Sequence, residues 1–228
     1  MMDDLEDNIL SSQKSIFPLQ NTSPLKILLL PGSRLPEAQN NWKLILSAVD
    51  NLLNSSCQNF IFLSAIAPSL SFSNFTECLR KKEWQKGGEK PVNLQIDDPE
   101  QIVFTKQRTV LVLTKNIYAQ CLQYCDICIG MAGTATEQFV GLGKPVIAFA
   151  GEGPQYNQKF AENQKHLLGI SLQLVDNPMA VKEKLEQLLW DNFLRQSIYI
   201  NGKQRLGDSG AANKIARLLI DSLKRSNQ

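Results

Sequence analysis

Asp126-Ile-Cys-Ile-Gly-Met-Ala-Gly-Thr-Ala-Thr-Glu-Gln-Phe-Val-Gly-Leu-Gly-Lys-Pro-Val-Ile-Ala-Phe-Ala150 reads as strand, tight turn, helix, stop and strand. Ile127, Cys128 and Ile129 form a short apolar run, as in a strand buried on both faces. Gly130 and Gly133 allow a sharp turn with close backbone approach. Thr134 or Thr136 caps a helix running to about Leu142, and Gly143 suits the left-handed residue past its end. Pro145 opens the next strand, 146–149. A Gly-Thr-Ala-Thr turn at a helix start offers backbone N–H groups, hydroxyls and the positive end of the helix dipole, a fit for a phosphate or diphosphate. Glu137 and Gln138, one turn further, suit the hydroxyls of an attached sugar. The plainer alternative is a strand-to-helix junction with threonine caps.

Working outward, the same pattern recurs upstream. Pro24 precedes an apolar strand, 25–30, and Pro31-Gly-Ser-Arg34 makes a second tight turn. A helix from about Pro36 to Leu53 follows, with Trp42, Ile45, Leu46, Val49, Leu52 and Leu53 on one face. Gly32, Ser33 and Arg34 thus hold the same place in their unit as residues 133–136 in theirs. The planar fork of Arg34 can bind two phosphate oxygens; the alternative is a solvated turn arginine. Residues 60–65 read as a strand and 74–82 as a helix. Residues 82–100 read as a polar surface excursion, with Lys81, Lys82, Lys86 and Lys90 interleaved with Glu83 and Glu89. Two short strands, 101–104 and 109–113, flank a turn, and a helix over 116–124 leads into the central unit. Beyond it come the loop 151–155, a helix over 156–168, a strand over 171–175, and a helix opened by Asn177-Pro178 with Val181, Leu185, Leu188 and Leu189 inward. A last helix runs from Asp208-Ser209 to about Lys224 with Ala211, Ile215, Leu218 and Leu219 inward. Strands alternate with helices, which predicts an α/β fold with a doubly wound, parallel, Rossmann-like sheet. Ligands of such sheets bind beyond the carboxyl ends of the strands, where loops 31–37, 130–138 and 150–158 converge. Residues 1–24 read as a linker or lead-in and residues 25–228 as one domain.

Composition narrows the function classes. A net charge of +2 over 228 residues gives no bulk electrostatic case for nucleic acid. No apolar run approaches the length of a membrane span, and no signal peptide stands at the start, which points to a cytoplasmic chain. Five cysteines form no small-scaffold disulfide pattern, as expected of a reducing compartment. Cys121-x3-Cys125-x2-Cys128 matches the spacing of the radical SAM cluster triplet. Here, however, Cys128 falls inside an apolar strand and Cys121 and Cys125 on one helix, so buried thiols are the better reading. His166, the only histidine, sits late in a helix away from the strand-end loops, which argues against a general base despite its suitable pKa class.

Leu30-Pro-Gly-Ser-Arg-Leu-Pro-Glu37 followed by Gly133-Thr-Ala-Thr-Glu-Gln138 resembles the lipid A disaccharide synthase family, inverting GT-B glycosyltransferases that use UDP-sugars. The run from Gly133 through Lys144-Pro-Val146, with Gly153-Pro-Gln155, Phe160-Ala-Glu-x-Gln164 and Leu167-Leu-Gly169, is most similar to its cyanobacterial and plastid branch, the lipid-A-disaccharide synthase-related proteins. The resemblance spans about residues 25–220 and covers the C-terminal, donor-binding half of such an enzyme. Residues 1–5 resemble the segment that joins the halves, so the chain is expected to begin mid-protein. The resemblance implies that Gly32, Ser33 and Arg34 face the donor diphosphate and that Gly133, Thr134, Ala135 and Thr136 hold it. The ribose-binding glutamate of the synthases falls at the position of Gln138, with Glu137 before it, a departure that touches the ribose contact. Gln155, Asn157 and Gln164 would meet sugar hydroxyls, and the base would lie near Thr105 and Thr114. It implies no metal, no cofactor beyond the UDP-sugar substrate, and a base supplied by a missing or separate acceptor-binding domain. It also implies a membrane-associated lipid acceptor, peripheral contact with a membrane, and room for homodimers. Two alternatives stand beside it: a nucleotide-sugar-binding subunit of a split transferase, and an orphan Rossmann-like domain used in assembly.

Overall fold

A computed structural model describes residues 2–3, 24–55, 58–89, 94, 96–207 and 210–226. In chain order the elements are β1 (Leu25–Leu30), α1 (Glu37–Ser55), β2 (Phe60–Ala65), α2 (Phe72–Lys81), β3 (Gln85–Lys86), β4 (Ile102–Lys106), β5 (Thr109–Thr114), α3 (Tyr118–Tyr124), β6 (Ile127–Gly130), α4 (Thr134–Gly141), β7 (Val146–Ala148), α5 (Gln158–Leu168), β8 (Leu172–Leu174), α6 (Val181–Trp190), α7 (Asn192–Leu206) and α8 (Ala211–Ser226).

The strands form one sheet in the order β3-β4-β5-β2-β1-β6-β7-β8. All neighbours from β5 to β8 pair in parallel. From β1 the sheet grows one way through β2, and from β6 it grows the other way through β7. Right-handed crossovers therefore put α1 and α4 on opposite faces, which makes the fold doubly wound. With both faces covered, the central strands are continuous apolar runs rather than alternating ones, and all four residues of β6 are buried. Trp42, Phe60, Phe62, Phe75, Phe104, Phe139 and Phe149 are among the largest fully buried side chains of the core.

The structure departs from the sequence reading at three elements. The 82–100 stretch is not a plain surface excursion: Trp84, Leu94, Ile96 and Asp98 are buried, and residues 85–86 add an antiparallel edge strand outside the β4–β5 hairpin. Residues 90–93 and 95, including Lys90, lie outside the described residues. Helix α7 had no counterpart in the reading because its inward face is Arg195, Ile198 and Gly202 rather than an apolar stripe. Arg195 is buried by donating to Leu188 O at 2.7 Å, Leu189 O at 2.5 Å and Asn192 Oδ1. The face of α8 assigned to the core, Ala211, Ile215, Leu218 and Leu219, is exposed. Its expected cap at 208–209, and most of the lead-in 1–24, lie outside the described residues. Met2 does pack against the core, and the carboxylate of Asp3 accepts the N–H groups of Gly210 and, at 2.8 Å, Ala212.

The cysteine triplet is buried, in and around α3 and β6. Burial pushes the Cys121 thiol up to about 11 and raises Cys125 and Cys128 well above the ordinary thiol value, so all three stay protonated. Lys144 ties these elements together. Its Nζ donates to Leu122 O at 2.8 Å, Gln123 O at 2.5 Å and Cys125 O at 2.7 Å, and lies 5.4 Å from the Phe139 ring centroid. It therefore closes the C-terminal end of α3, while burial lowers its pKa to about 8.

Candidate functional site

The register of β1 on β6 pairs Leu30 with Gly130, so the two glycine turns leave the sheet side by side at its point of reversal. The Met131 N–H donates to Leu30 O at 2.8 Å and joins them. Gly32 takes φ +103°, which a side chain would resist, and the turn then enters α1 through a cis Leu35–Pro36 bond. Asn41, one turn into α1, donates from Nδ2 to Pro31 O at 3.0 Å and to Met131 O at 3.5 Å. A third loop, 151–157, is fastened to the same helix. The buried carboxylate of Glu37 accepts the Gln155 N–H at 3.0 Å and the Tyr156 N–H at 2.5 Å. A Cβ on Gly153 would stand 2.5 Å from that carboxyl, so only glycine seats the loop this closely.

Between these loops lies a cavity of about 840 Å³ at the carboxyl ends of the central strands. Gly32, Ser33 and Arg34 line it from the β1 loop, Gly133, Thr134 and Ala135 from the start of α4, Gln138 from its next turn, and Gln155 from the third loop. Neither threonine caps α4: Gly133 is the cap residue, and no side chain closes the helix end. The Thr136 and Glu137 N–H groups return to Gly133 O at 3.0 and 3.2 Å, and the opening turn of the helix is left to an acceptor from the cavity.

Several expected residues sit elsewhere. Thr136 is fully buried with Oγ1 against Gly130, because the close approach of α4 to β6 turns it into the core. Glu137 does not line the cavity; Gln138 does, and its Oε1 accepts the Tyr118 hydroxyl at 2.5 Å. Asn157 is the N-cap of α5, accepting the Phe160 N–H at 3.0 Å. Gln164 lies beneath the site: it accepts from the Tyr156 hydroxyl at 2.9 Å and donates to Ala132 O at 3.1 Å and Gly133 O at 3.2 Å, holding the α4 turn in place. Thr114 is buried against Cys121, and neither it nor Thr105 lines the cavity. His166 is exposed and also outside it.

The far wall begins just past Thr114, beside which the base was expected, but its own lining residues were not named from the sequence. It is built from Ile66, Ala67 and Pro68 after β2, and from Lys115 and Tyr118 after β5. Asp98 sets the position of this second cation. Its carboxylate accepts the N–H groups of Lys115 at 2.8 Å, Asn116 at 3.1 Å and Glu100 at 2.9 Å, and the Asn116 side-chain amide at 2.9 Å. Burial alone would raise the Asp98 pKa, but these donors outweigh it and hold the carboxyl at about 2. The Lys115 ammonium lies 4.9 Å from the Phe72 ring centroid. The cavity is thus a slot with an apolar and aromatic end, an uncapped helix start in the middle, and two cationic side chains, a chemistry suited to an anionic ligand with a flat group.

No family model and no curated protein matches the sequence. Solved structures do match in fold. A putative UDP-N-acetylglucosamine 2-epimerase from Listeria monocytogenes aligns with a TM-score of 0.63 at 14% identity, over 98% of this chain and 52% of that one. The S. aureus MnaA–UDP co-structure aligns at 0.56 and 13%, over 98% and 52%. Acinetobacter baumannii MurG aligns at 0.53 and 13%, over 89% and 51%. The chain has a Rossmann-like fold shared with GT-B proteins and spans about half the length of these structures.

Proposed function

We propose that the chain is the donor-binding half of an inverting glycosyltransferase resembling lipid A disaccharide synthase, with a UDP-sugar as donor. The observation that carries the reading is the cavity itself. Three loops from separate strand–helix units bring Gly32–Arg34, the uncapped start of α4, and Gln155 around one slot at the reversal point of the sheet. In this reading the diphosphate lies on Gly133, Thr134 and Ala135 with Arg34 beside it. The nucleoside lies toward Tyr118 and Ile66–Pro68, and the sugar toward Gln155. An acceptor hydroxyl attacks the anomeric carbon from the face opposite the leaving group. The bond from that carbon to the diphosphate oxygen breaks, and the electron pair leaves with UDP. Arg34 and the helix start stabilise the charge that grows there. The hydroxyl proton passes to a base on an acceptor-binding half, which the doubled length of the fold relatives supports as a second domain or separate chain. The epimerases among those relatives share the fold; the choice of a transferase rests on the PGSR and GTATEQ motifs.

Calorimetric titration with UDP, UDP-GlcNAc, GDP and ADP tests the reading. Selective binding of UDP or its sugar is expected, weakened roughly tenfold or more in Arg34→Ala through loss of a charge-assisted phosphate contact. Absence of binding for every nucleotide at millimolar concentration overturns a donor site in this chain and leaves the assembly role standing.

A further inference from the structure

Among the described residues, one polar side chain on the far wall of the cavity has no oxygen partner. The groups around it are already paired. Thr114 O accepts the Ile66 N–H at 2.8 Å, and Asp98 takes the N–H groups of Lys115 and Asn116 together with the Asn116 side-chain amide. The Tyr118 hydroxyl donates to Gln138 Oε1, and the side chains of Ile66, Ala67 and Pro68 carry no polar group. Lys115 differs: its ammonium is held over the Phe72 ring at the start of α2, with no acceptor among the described residues. A lysine offers three donors and no acceptor, so the side chains of this wall present a ligand with donors alone. Its place in the sheet says which part of a ligand it meets. Lys115 follows β5, three strands from β6, a span of about 14 Å at the ordinary strand spacing. A diphosphate seated at the start of α4 ends short of that, so the part that reaches Lys115 is the nucleoside.

We propose that Lys115 selects the nucleobase of the donor, accepting a base whose exocyclic group is a carbonyl oxygen and rejecting one that shows an amine. The inference rests on the donor-site reading above and adds to it the residue that sets the base. Uracil and cytosine differ in this respect at a single position of rings of the same size: uracil carries an oxygen acceptor where cytosine carries an amino donor. Facing the ammonium, the carbonyl gains a charge-assisted hydrogen bond. The amine sets donor against donor and leaves a desolvated ammonium with no acceptor. The Phe72 ring keeps the ammonium at the wall instead of free in solvent. Asp98, 1% exposed, fixes the strand end from which the side chain projects. Asp98 is thus the positioning residue and Lys115 the one that reads the base.

Calorimetric titration of the purified chain with UDP and CDP tests it, in wild type, Lys115→Met, Lys115→Gln and Arg34→Ala. Wild type should bind UDP about tenfold or more tighter than CDP, the effect of one charge-assisted hydrogen bond. Lys115→Met keeps the stem over Phe72 and removes the donors, so the two affinities should converge. Lys115→Gln adds an acceptor for the amine and should tighten CDP binding severalfold, a gain that misfolding cannot produce. Arg34→Ala should weaken both nucleotides alike and keep their ratio. A wild-type ratio near one overturns the inference and leaves the donor site standing. So does a preference for UDP that neither Lys115 variant lowers, including the case in which both affinities fall together, as they would for a phosphate contact. Failure of both nucleotides to bind at millimolar concentration removes the donor site and this inference with it.

Discussion

Replacing Asp98 by asparagine should remove a pH-dependent part of the stability of this domain and loosen the cation wall of the cavity. Asp98 is 1% exposed and accepts four hydrogen bonds, three of them from backbone N–H groups. Its folded pKa of about 2 lies below the ordinary 3.8. A depressed carboxyl contributes stability that is fully present above the unfolded value and is lost as pH falls through the folded one. At 1.36 kcal/mol per pKa unit the shift corresponds to about 2.4 kcal/mol at neutral pH, of which roughly 1 kcal/mol is gone by pH 3. Asparagine keeps the shape, carries no titration, and turns one acceptor oxygen into a donor facing backbone N–H groups. Urea unfolding of wild type and Asp98→Asn at a series of pH values from 7 to 3 measures the difference. The wild-type advantage should be about 2 kcal/mol or more at pH 7 and shrink steadily below pH 4. A gap that stays constant across this range would refute the assignment of the low pKa to the amide cluster.

Two further outcomes test the packing that supports the site. A Cβ on Gly202 would stand 2.2 Å from Val140 O, a backbone atom, so Gly202→Ala should push α7 off α4 and cost about 1–3 kcal/mol in urea unfolding; an unchanged midpoint would show that α7 does not pack as described. Lys144 has a folded pKa of about 8 against an ordinary 10.5. The cost of burying its charge is fully present below pH 8 and is relieved as pH climbs toward 10.5, so wild type should gain stability relative to Lys144→Met over that window. Parallel stability curves for the two proteins between pH 8 and 10 would contradict this.

The fold was legible where local chemistry and burial pointed the same way. The strand Ile127–Gly130, the glycine turn and the left-handed Gly143 at φ +80° all follow from residue types whose backbone options are narrow. The two strands β4 and β5 were legible from their short apolar runs on either side of a polar turn, although nothing in the type of Gln107 announces its φ of +55° there. Helix α7 was not, because an arginine satisfied by three carbonyl and amide oxygens and a glycine pressed on a carbonyl carry no hydrophobic period. The 82–100 stretch misled through composition: Glu83, Lys86 and Glu89 are exposed, but Trp84 and Asp98 are anchors, Lys82 is paired with Asp50 at 2.7 Å, and an aspartate that collects amide donors looks the same in sequence as one in water.

Of the site, the sequence exposed the loops and hid the partition of roles within them. Loop positions 32–34, 133–135 and 155 line one cavity because the strand order brings them there, and alternation of the elements had already placed them at the carboxyl ends of parallel strands. Which side chain of a turn faces the cavity is decided by packing. Thr136 is drawn inward by Gly130, and Gln138 rather than Glu137 faces the slot because the helix phase is set by Phe139 and Val140 in the core. Gln164 and Asn157 carry sugar-binding chemistry, yet they serve to hold the α4 turn and to cap α5. The wall formed by Lys115, Tyr118 and residues 66–68 comes from ordinary-looking strand ends, and no local motif marks it. A polar side chain near a strand end is therefore a site residue only once its own hydrogen bonds are known. Among the described residues, the groups that face the cavity and are not consumed by the scaffold include Arg34, Ser33, the opening turn of α4 and the side chain of Gln155, with the Lys115 ammonium on the far wall.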